Sequence, residues 1–244
     1  MTSLFGLAKA TGWSLYLEAP TKVWLASSVG EVRELINQAE AEARNGSYVA
    51  LMLNYEAGPA FDVAFKTKQP TLVPLAWAAI YSASSEAPES DQGKYQVSNW
   101  APAIDRNEYN NSVDRIRELI TAGDTYQVNY TFPLTANFAG DPLAWYQDLC
   151  VAQGGNYSAF LDLGRFKILS LSPELFFQRV GDEIVTRPMM LVAVATTFVK
   201  LATSKIVSTD ILSRTGSSCR APYALRQTIF PFRPTSTTAP GRRF

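Results

Sequence analysis

Residues 123–134 read GDTYQVNYTFPL. Their alternation predicts a strand with Tyr126, Val128, Tyr130 and Phe132 on one face and Gln127, Asn129 and Thr131 on the other. Upstream, Asp105 and Glu108 form a capping box, and Tyr109, Val113, Ile116 and Ile120 step along one side of a helix that Gly123 ends. Downstream, Asp141-Pro142 pairs an N-cap with a proline at the first helical position. It starts a short helix expected to bury Leu143, Tyr146, Leu149 and Cys150. After Gly154-Gly155 the pattern turns to strands: YSAFLDL (157–163), a tight turn at Gly164, then FKILSL (166–171). Ser172-Pro173-Glu174 interrupts, and LFFQRV (175–180), Gly181-Asp182 and EIVTRPM (183–189) form one more hairpin.

Nearer the N-terminus, Ser28 and Glu31 form another capping box before Val32, Leu35, Ile36 and Ala39, predicting a helix over about 29–45 that stops at Gly46. SYVALMLNYE (47–56) reads as a strand leading into Tyr55-Glu56-Ala57-Gly58, and 83–92 as an exposed loop. Helices and antiparallel strands alternate without the βαβ rhythm of a parallel sheet. The fold class is α+β.

The chain has 244 residues, 47% of them hydrophobic, enough for a buried core. Lysine plus arginine and aspartate plus glutamate both number 22, so no net charge draws in nucleic acid or an anionic membrane. Histidine is absent, which removes serine–histidine triads, histidine zinc ligation and imidazole acid–base chemistry. Two cysteines, Cys150 and Cys219, form neither a CxxC pair nor a disulfide framework, and the glycines form neither GxGxxG nor GxxxxGK. The N-terminus lacks a basic start before an apolar run, and no apolar stretch is long enough to span a bilayer. A cytoplasmic protein is expected.

The balanced charge conceals a break after Met189. Before it stand 14 basic and 21 acidic residues; after it, 8 basic and 1 acidic. The last 55 residues also contain 15 serines and threonines. Residues 1–189 therefore read as one domain portion and 190–244 as a segment of different origin, expected to be disordered or poorly packed.

Without histidine, acid–base work falls to carboxylates, lysine, tyrosine, cysteine or water. Glu174 sits behind a proline between apolar strands, where burial would keep it protonated; a solvated turn glutamate is the plainer reading. Gln127 and Asn129 suit either a polar ligand or a solvated strand face. Arg187, before Pro188, could hold a carboxylate through its planar fork, against the default of a surface salt bridge.

NYEAGPAFD (54–62), AGDTYQVNYTFPL (122–134), LSPELFF (171–177) and GDEIVTRPM (181–189) occur in an order and spacing that closely resemble the chorismate-utilising enzymes. The likeness is to their aminodeoxychorismate synthase component I branch, related to anthranilate synthase component I. SLYLEAP (14–20) also resembles the family's N-terminal segment, which in several members lines an allosteric tryptophan pocket. The resemblance implies part of a two-layer antiparallel β-sandwich with outer helices, a chorismate site and a bound Mg2+. It further implies replacement of the C4 hydroxyl of chorismate by ammonia from a glutamine amidotransferase partner, giving 4-amino-4-deoxychorismate for folate synthesis. Glu174 matches the acid–base glutamate of the SPE motif; Gln127 would face the ring, and Thr186 and Arg187 would bind substrate. Anthranilate synthase component I, and a non-catalytic fragment binding tryptophan or the glutaminase, are the alternatives.

Departures from the pattern begin after Met189. Where the branch has Lys-Gly-Thr, with the lysine as nucleophile, this chain has Met190, Leu191 and Val192, and a thioether cannot replace an amine. Later motifs that supply metal ligands are also missing, so the chain is expected to be inactive. Back-translated and read one base earlier, residues 191–207 can give Gly-Arg-Gly-Arg-Asn-Tyr-Ile-Arg-Glu-Thr-Arg-Asp-Lys-Gln-Asp-Arg, which resembles the turn and charged helix expected there. The charge break motivates the expectation of a shifted reading frame after Met189; a genuine divergent tail that packs on the sandwich, and a basic nucleic-acid arm, are the alternatives.

Overall fold

The computed structural model describes residues 1–6, 12–68, 73–87, 93–154, 157–172, 175–180, 183–187, 195–200, 205–211 and 228–232, the last three segments by backbone alone. In chain order the elements are β1 (Thr2–Phe5), β2 (Leu15–Glu18), β3 (Lys22–Ala26), α1 (Val29–Arg44), β4 (Tyr48–Leu53), a 3-10 turn (Tyr55–Ala60) and β5 (Ala76–Tyr81). Next come β6 (Tyr95–Val97), β7 (Ala101–Pro102), α2 (Arg106–Ala122), β8 (Thr131–Gly140), α3 (Pro142–Gln153), β9 (Tyr157–Asp162) and β10 (Phe166–Ser172). The series ends with β11 (Leu175–Val180), β12 (Glu183–Arg187), β13 (Ala195–Lys200), β14 (Lys205–Ile211) and β15 (Thr228–Phe232). The α+β class with antiparallel sheets is what the sequence pattern predicts.

The chain divides into two compact units. The first comprises Met1–Leu4, Leu15–Ala87 and Ala224–Phe244. Its antiparallel sheet runs β15-β4-β5-β3, with Leu51 opposite Ala78 and Leu25 opposite Trp77. Val32, Leu35 and Ala39 of α1 pack on Val49, Leu51, Ala76, Ala78 and Ile80, whose alternation presents one apolar face to the helix. The Glu31 carboxylate accepts from the Ser27 and Ser28 amides at 2.8 and 2.9 Å, the expected glutamate half of the capping box. These bonds favour its charged form and lower its pKa. Gly46, at φ +92°, supplies the left-handed exit. On β5, Trp77 and Tyr81 are buried, and the Tyr81 and Ser3 hydroxyls share a 2.8 Å hydrogen bond.

The second unit comprises Phe5–Ser14 and Pro88–Tyr223. Its strands run β9-β10-β13-β14-β8-β6, with β7 also against β8 and every pairing antiparallel. The β11–β12 hairpin is a separate two-stranded ribbon. Asp141 caps α3 by accepting from the Leu143 amide at 2.8 Å, as the sequence implies. That helix buries Ala144, Trp145, Tyr146, Gln147 and Cys150, while Leu143 and Leu149 are only half-buried. Trp145 packs on Phe138 at 5.3 Å between ring centroids and Tyr146 on Phe160 at 5.8 Å.

One expectation changes in this unit. The strand foreseen from Tyr126 begins at Thr131, because residues 127–130 join no described ladder and regular pairing starts where Thr131 meets Ile211. Gln127 and Asn129 are exposed there. The stretch ahead of it behaves as foreseen, with Asp105 Oδ1 accepting from the Glu108 amide at 2.8 Å and Gly123 at φ +81° ending α2.

Candidate functional site

The four family-like motifs settle into distinct local structures. Asn54 caps the 3-10 turn, its Oδ1 accepting from the Tyr55 amide at 3.2 Å, so NYEAG forms a folded-back turn at the end of β4. Arg33 of α1 holds that turn from outside. Its Nε donates to Ala60 O at 2.6 Å, its Nη2 donates to Phe61 O at 3.1 Å, and its guanidinium lies 5.5 Å from the Phe61 ring centre. Sequence spacing did not disclose this clamp, because nothing local links Arg33 to residues 60–61.

Gln127 lies in the extended approach to β8, where Thr125 Oγ1 donates to its backbone carbonyl at 3.1 Å. Tyr130, three residues on, is anchored from α2. Its hydroxyl and that of Ser112 are 2.9 Å apart, and Tyr109, Tyr130 and Phe132 form a ring cluster with centroids 5.9 to 6.2 Å apart. The signal for this contact was present in two patterns read separately, the helix stripe containing Tyr109 and the strand face containing Tyr130 and Phe132.

Thr186 is exposed on β12, and the backbone register places Arg187 opposite Leu175. Leu175 directly follows Glu174 in the chain, so the ladder brings the two motif-bearing strands together beside the SPE sequence. Glu174 itself, Pro173 and Met190 lie outside the described residues, as does the side chain of Arg187. The hairpin carries Phe176, Phe177 and Ile184 at 55%, 39% and 67% exposure, so its described positions offer no dry enclosure of the kind that strengthens electrostatic catalysis.

The buried polar groups of the second unit lie elsewhere. The Tyr146 hydroxyl donates to Gly6 O at 3.2 Å, and burial pushes its pKa well above that of an ordinary phenol. Burial likewise raises the pKa of the Cys150 thiol, with opposing contributions from Ser158 and Tyr146. Cys150 is thus a neutral core residue rather than a poised nucleophile. Among the described residues no group of three or more aspartates, glutamates or cysteines could hold a metal ion, so they do not by themselves fit Mg2+. No described helix is long and apolar enough to cross a membrane.

The chorismate binding enzyme family matches residues 10–190. Among curated proteins, the aminodeoxychorismate synthase component 1 of Klebsiella aerogenes is 37% identical over 93 residues, covering 38% of this chain and 21% of that protein. The Escherichia coli protein of the same name is also 37% identical over 93 residues, covering 38% and 20%. Anthranilate synthase component 1 of Neisseria gonorrhoeae is 35% identical over 77 residues, covering 32% and 16%. The matched stretch thus spans about a fifth of these relatives' length or less. A Bacillus anthracis protein described as a 2,3-dihydroxybenzoate-specific isochorismate synthase aligns with TM-score 0.49 and 16% identity over 76% of this chain and 48% of its own. With the family matched over well beyond half of its length, the chain belongs to the chorismate binding enzymes.

Proposed function

We propose that the chain derives from an aminodeoxychorismate synthase component 1. The observation that carries this reading is the 37% identity over 93 residues to proteins of that name, within the wider family match. The reaction replaces oxygen by nitrogen at C4 of chorismate. Ammonia from a glutamine amidotransferase subunit supplies the new C–N bond and loses a proton, the C4–O bond breaks, and the oxygen departs with an added proton as water. Hydroxide is a poor leaving group, so protonation is the need that Glu174 would meet as an acid. In this proposal Gln127 borders the ring, and Thr186 and Arg187 hold substrate oxygens, the guanidinium suiting a carboxylate. Mg2+ would neutralise substrate carboxylate charge when bound.

The chain as written is proposed to be catalytically silent, because Met190 occupies the nucleophile's position and a shifted frame replaces the residues beyond it. In a discontinuous assay with chorismate, ammonia and Mg2+, product should accumulate no faster than without protein. Turnover abolished by Glu174→Gln would overturn this. Sequencing the coding DNA tests the frame: an intact open reading frame with family motifs in no alternative frame would reject the shift.

The similarity to anthranilate synthases favours a second reading, anthranilate formation. A frame-restored protein decides between them. Anthranilate released without an added lyase would favour the second reading; 4-amino-4-deoxychorismate would favour the first. A non-catalytic role of the present chain, binding tryptophan or the glutaminase, is tested by calorimetry and co-purification.

A further inference from the structure

In the second unit, strand register gathers positive charge at one end of the sheet. Phe166 of β10 stands opposite Lys200 of β13, Lys200 opposite Lys205 of β14, and Lys205 opposite Asn137 of β8. Residues directly opposite in an antiparallel pair share a face, with Cβ atoms about 4.5–5.5 Å apart. The only two lysines after Met189 therefore close the β13–β14 hairpin as a like-charged pair. A third cation adjoins the row: Arg165 precedes Phe166, is exposed, and sets its guanidinium 5.5 Å from that ring's centre.

Like charges directly opposite weaken a ladder. The register that opposes them is held from both sides, by β10 against β13 and by β8 against β14. The carboxylates flanking the two outer strands at this end already have partners: Asp162 accepts from Lys167 Nζ and the Gly164 amide, and Asp141 from the Leu143 amide. Asp210, the one acidic residue after Met189, stands opposite Ala195, five rungs from the lysine pair. That is about 17 Å along the strand, well beyond the screening length of about 8 Å in physiological salt. The protein thus supplies the row with cations and leaves their counter-charge to come from outside.

We propose that this end of the sheet, with Lys200, Lys205 and Arg165, is a site for a small multivalent oxyanion of the phosphate class, whose charge offsets the repulsion built into the hairpin. Ammonium and guanidinium groups both suit phosphate oxygens, and a multiply charged anion answers three cations where a single carboxylate would not. The site does not depend on the reaction assigned above.

The test follows thermal unfolding of the full 244-residue chain with inorganic pyrophosphate as the probe. At about ten times its dissociation constant, binding to the folded state shifts the folding equilibrium about elevenfold, a rise of about 3–5 °C in melting temperature. Sodium chloride at matched ionic strength should give only a small part of that rise. Without anion, Lys205→Glu should raise the melting temperature by about 1–3 °C, because an opposite-charge pair replaces a like-charge pair, and it should abolish the response to pyrophosphate. Lys200→Gln and Arg165→Gln should each weaken the affinity by about threefold or more, while Arg44→Gln, at an exposed position of α1, should leave it unchanged. Amide exchange in residues 195–200 and 205–211 should be slow, and slower with pyrophosphate. Unprotected amides there in the folded protein would overturn the proposal. So would a response that chloride reproduces, an intact response in Lys205→Glu, or affinity indifferent to both glutamine variants. A single-stranded oligonucleotide that stabilises the chain at a lower phosphate concentration than pyrophosphate does would reject the small-anion assignment in favour of a polymer.

Discussion

Replacing Tyr146 by phenylalanine tests whether the second unit's core is as closed as its packing indicates. The phenol is fully buried, its hydroxyl donates to Gly6 O at 3.2 Å, and desolvation is the largest cause of its raised pKa. The thiol of Cys150, close to it, is raised for the same principal reason. In the unfolded chain these groups lose protons near their ordinary values, about 8.5 for the thiol and about 10 for the phenol. In the folded chain they retain them to higher pH. The unfolded state then binds fewer protons, so stability falls as pH rises. Both contributions are fully present below the unfolded pKa values and are lost upward, first through the thiol and then through the phenol. Each retained proton contributes a slope of at most about 1.4 kcal/mol per pH unit.

Tyr146→Phe should therefore show two opposed effects. Near neutral pH it should cost about 1–3 kcal/mol, because the buried Gly6 carbonyl loses a donor. Above pH ~10 its stability should fall less steeply than the parent's, by about one proton's worth of slope. Urea unfolding monitored by tryptophan fluorescence across this range measures both effects. Phenolate absorbance shows independently whether one tyrosine resists ionisation until the chain unfolds. If every tyrosine of the folded protein ionised near pH ~10, or the variant kept the parent's alkaline slope, the sealed-core argument would be wrong.

In the first unit, Leu35→Ala should lower unfolding free energy by about 2–5 kcal/mol in urea, since Leu35 is buried between α1 and the sheet; a loss below about 0.5 kcal/mol would show that the helix does not pack there. Arg33→Ala should speed amide exchange in residues 57–62 while leaving β4 and β5 protected, and Arg33→Lys, without the planar fork, should restore only part of that protection. Unchanged exchange would mean that the clamp does not hold the turn.

The helix boundaries were legible because their causes are local. Ser28, Asp105 and Asp141 each precede a helix, and the glycines at 46, 123 and 154 adopt positive φ after one. Burial on α3 was less legible. A stripe drawn through Leu143, Tyr146, Leu149 and Cys150 found two of the buried positions, but Trp145 and Gln147 are buried as well because α3 covers the sheet with a wider surface than one stripe. The motif residues were recognisable by type and order, yet their mutual geometry was not. Only the register of β11 with β12 sets Arg187 opposite the neighbour of Glu174, and strand register is a property of two segments together.

Residues 126–132 show where such reading stops. Alternation of apolar and polar side chains says which face of an extended segment seeks cover, but not whether a neighbouring strand is present to make it part of a sheet. Thr131 onward has neighbours in β14 and, further along, β7 and β6, and is strand; 127–130 carries the same pattern and is not. The tyrosine face nevertheless works as patterned, since Tyr130 and Phe132 both meet Tyr109 on α2. The pattern therefore specifies which side chains meet, here Tyr109 and Ser112 of α2 with Tyr130 and Phe132, without specifying the partner strand that would make residues 127–130 part of a sheet.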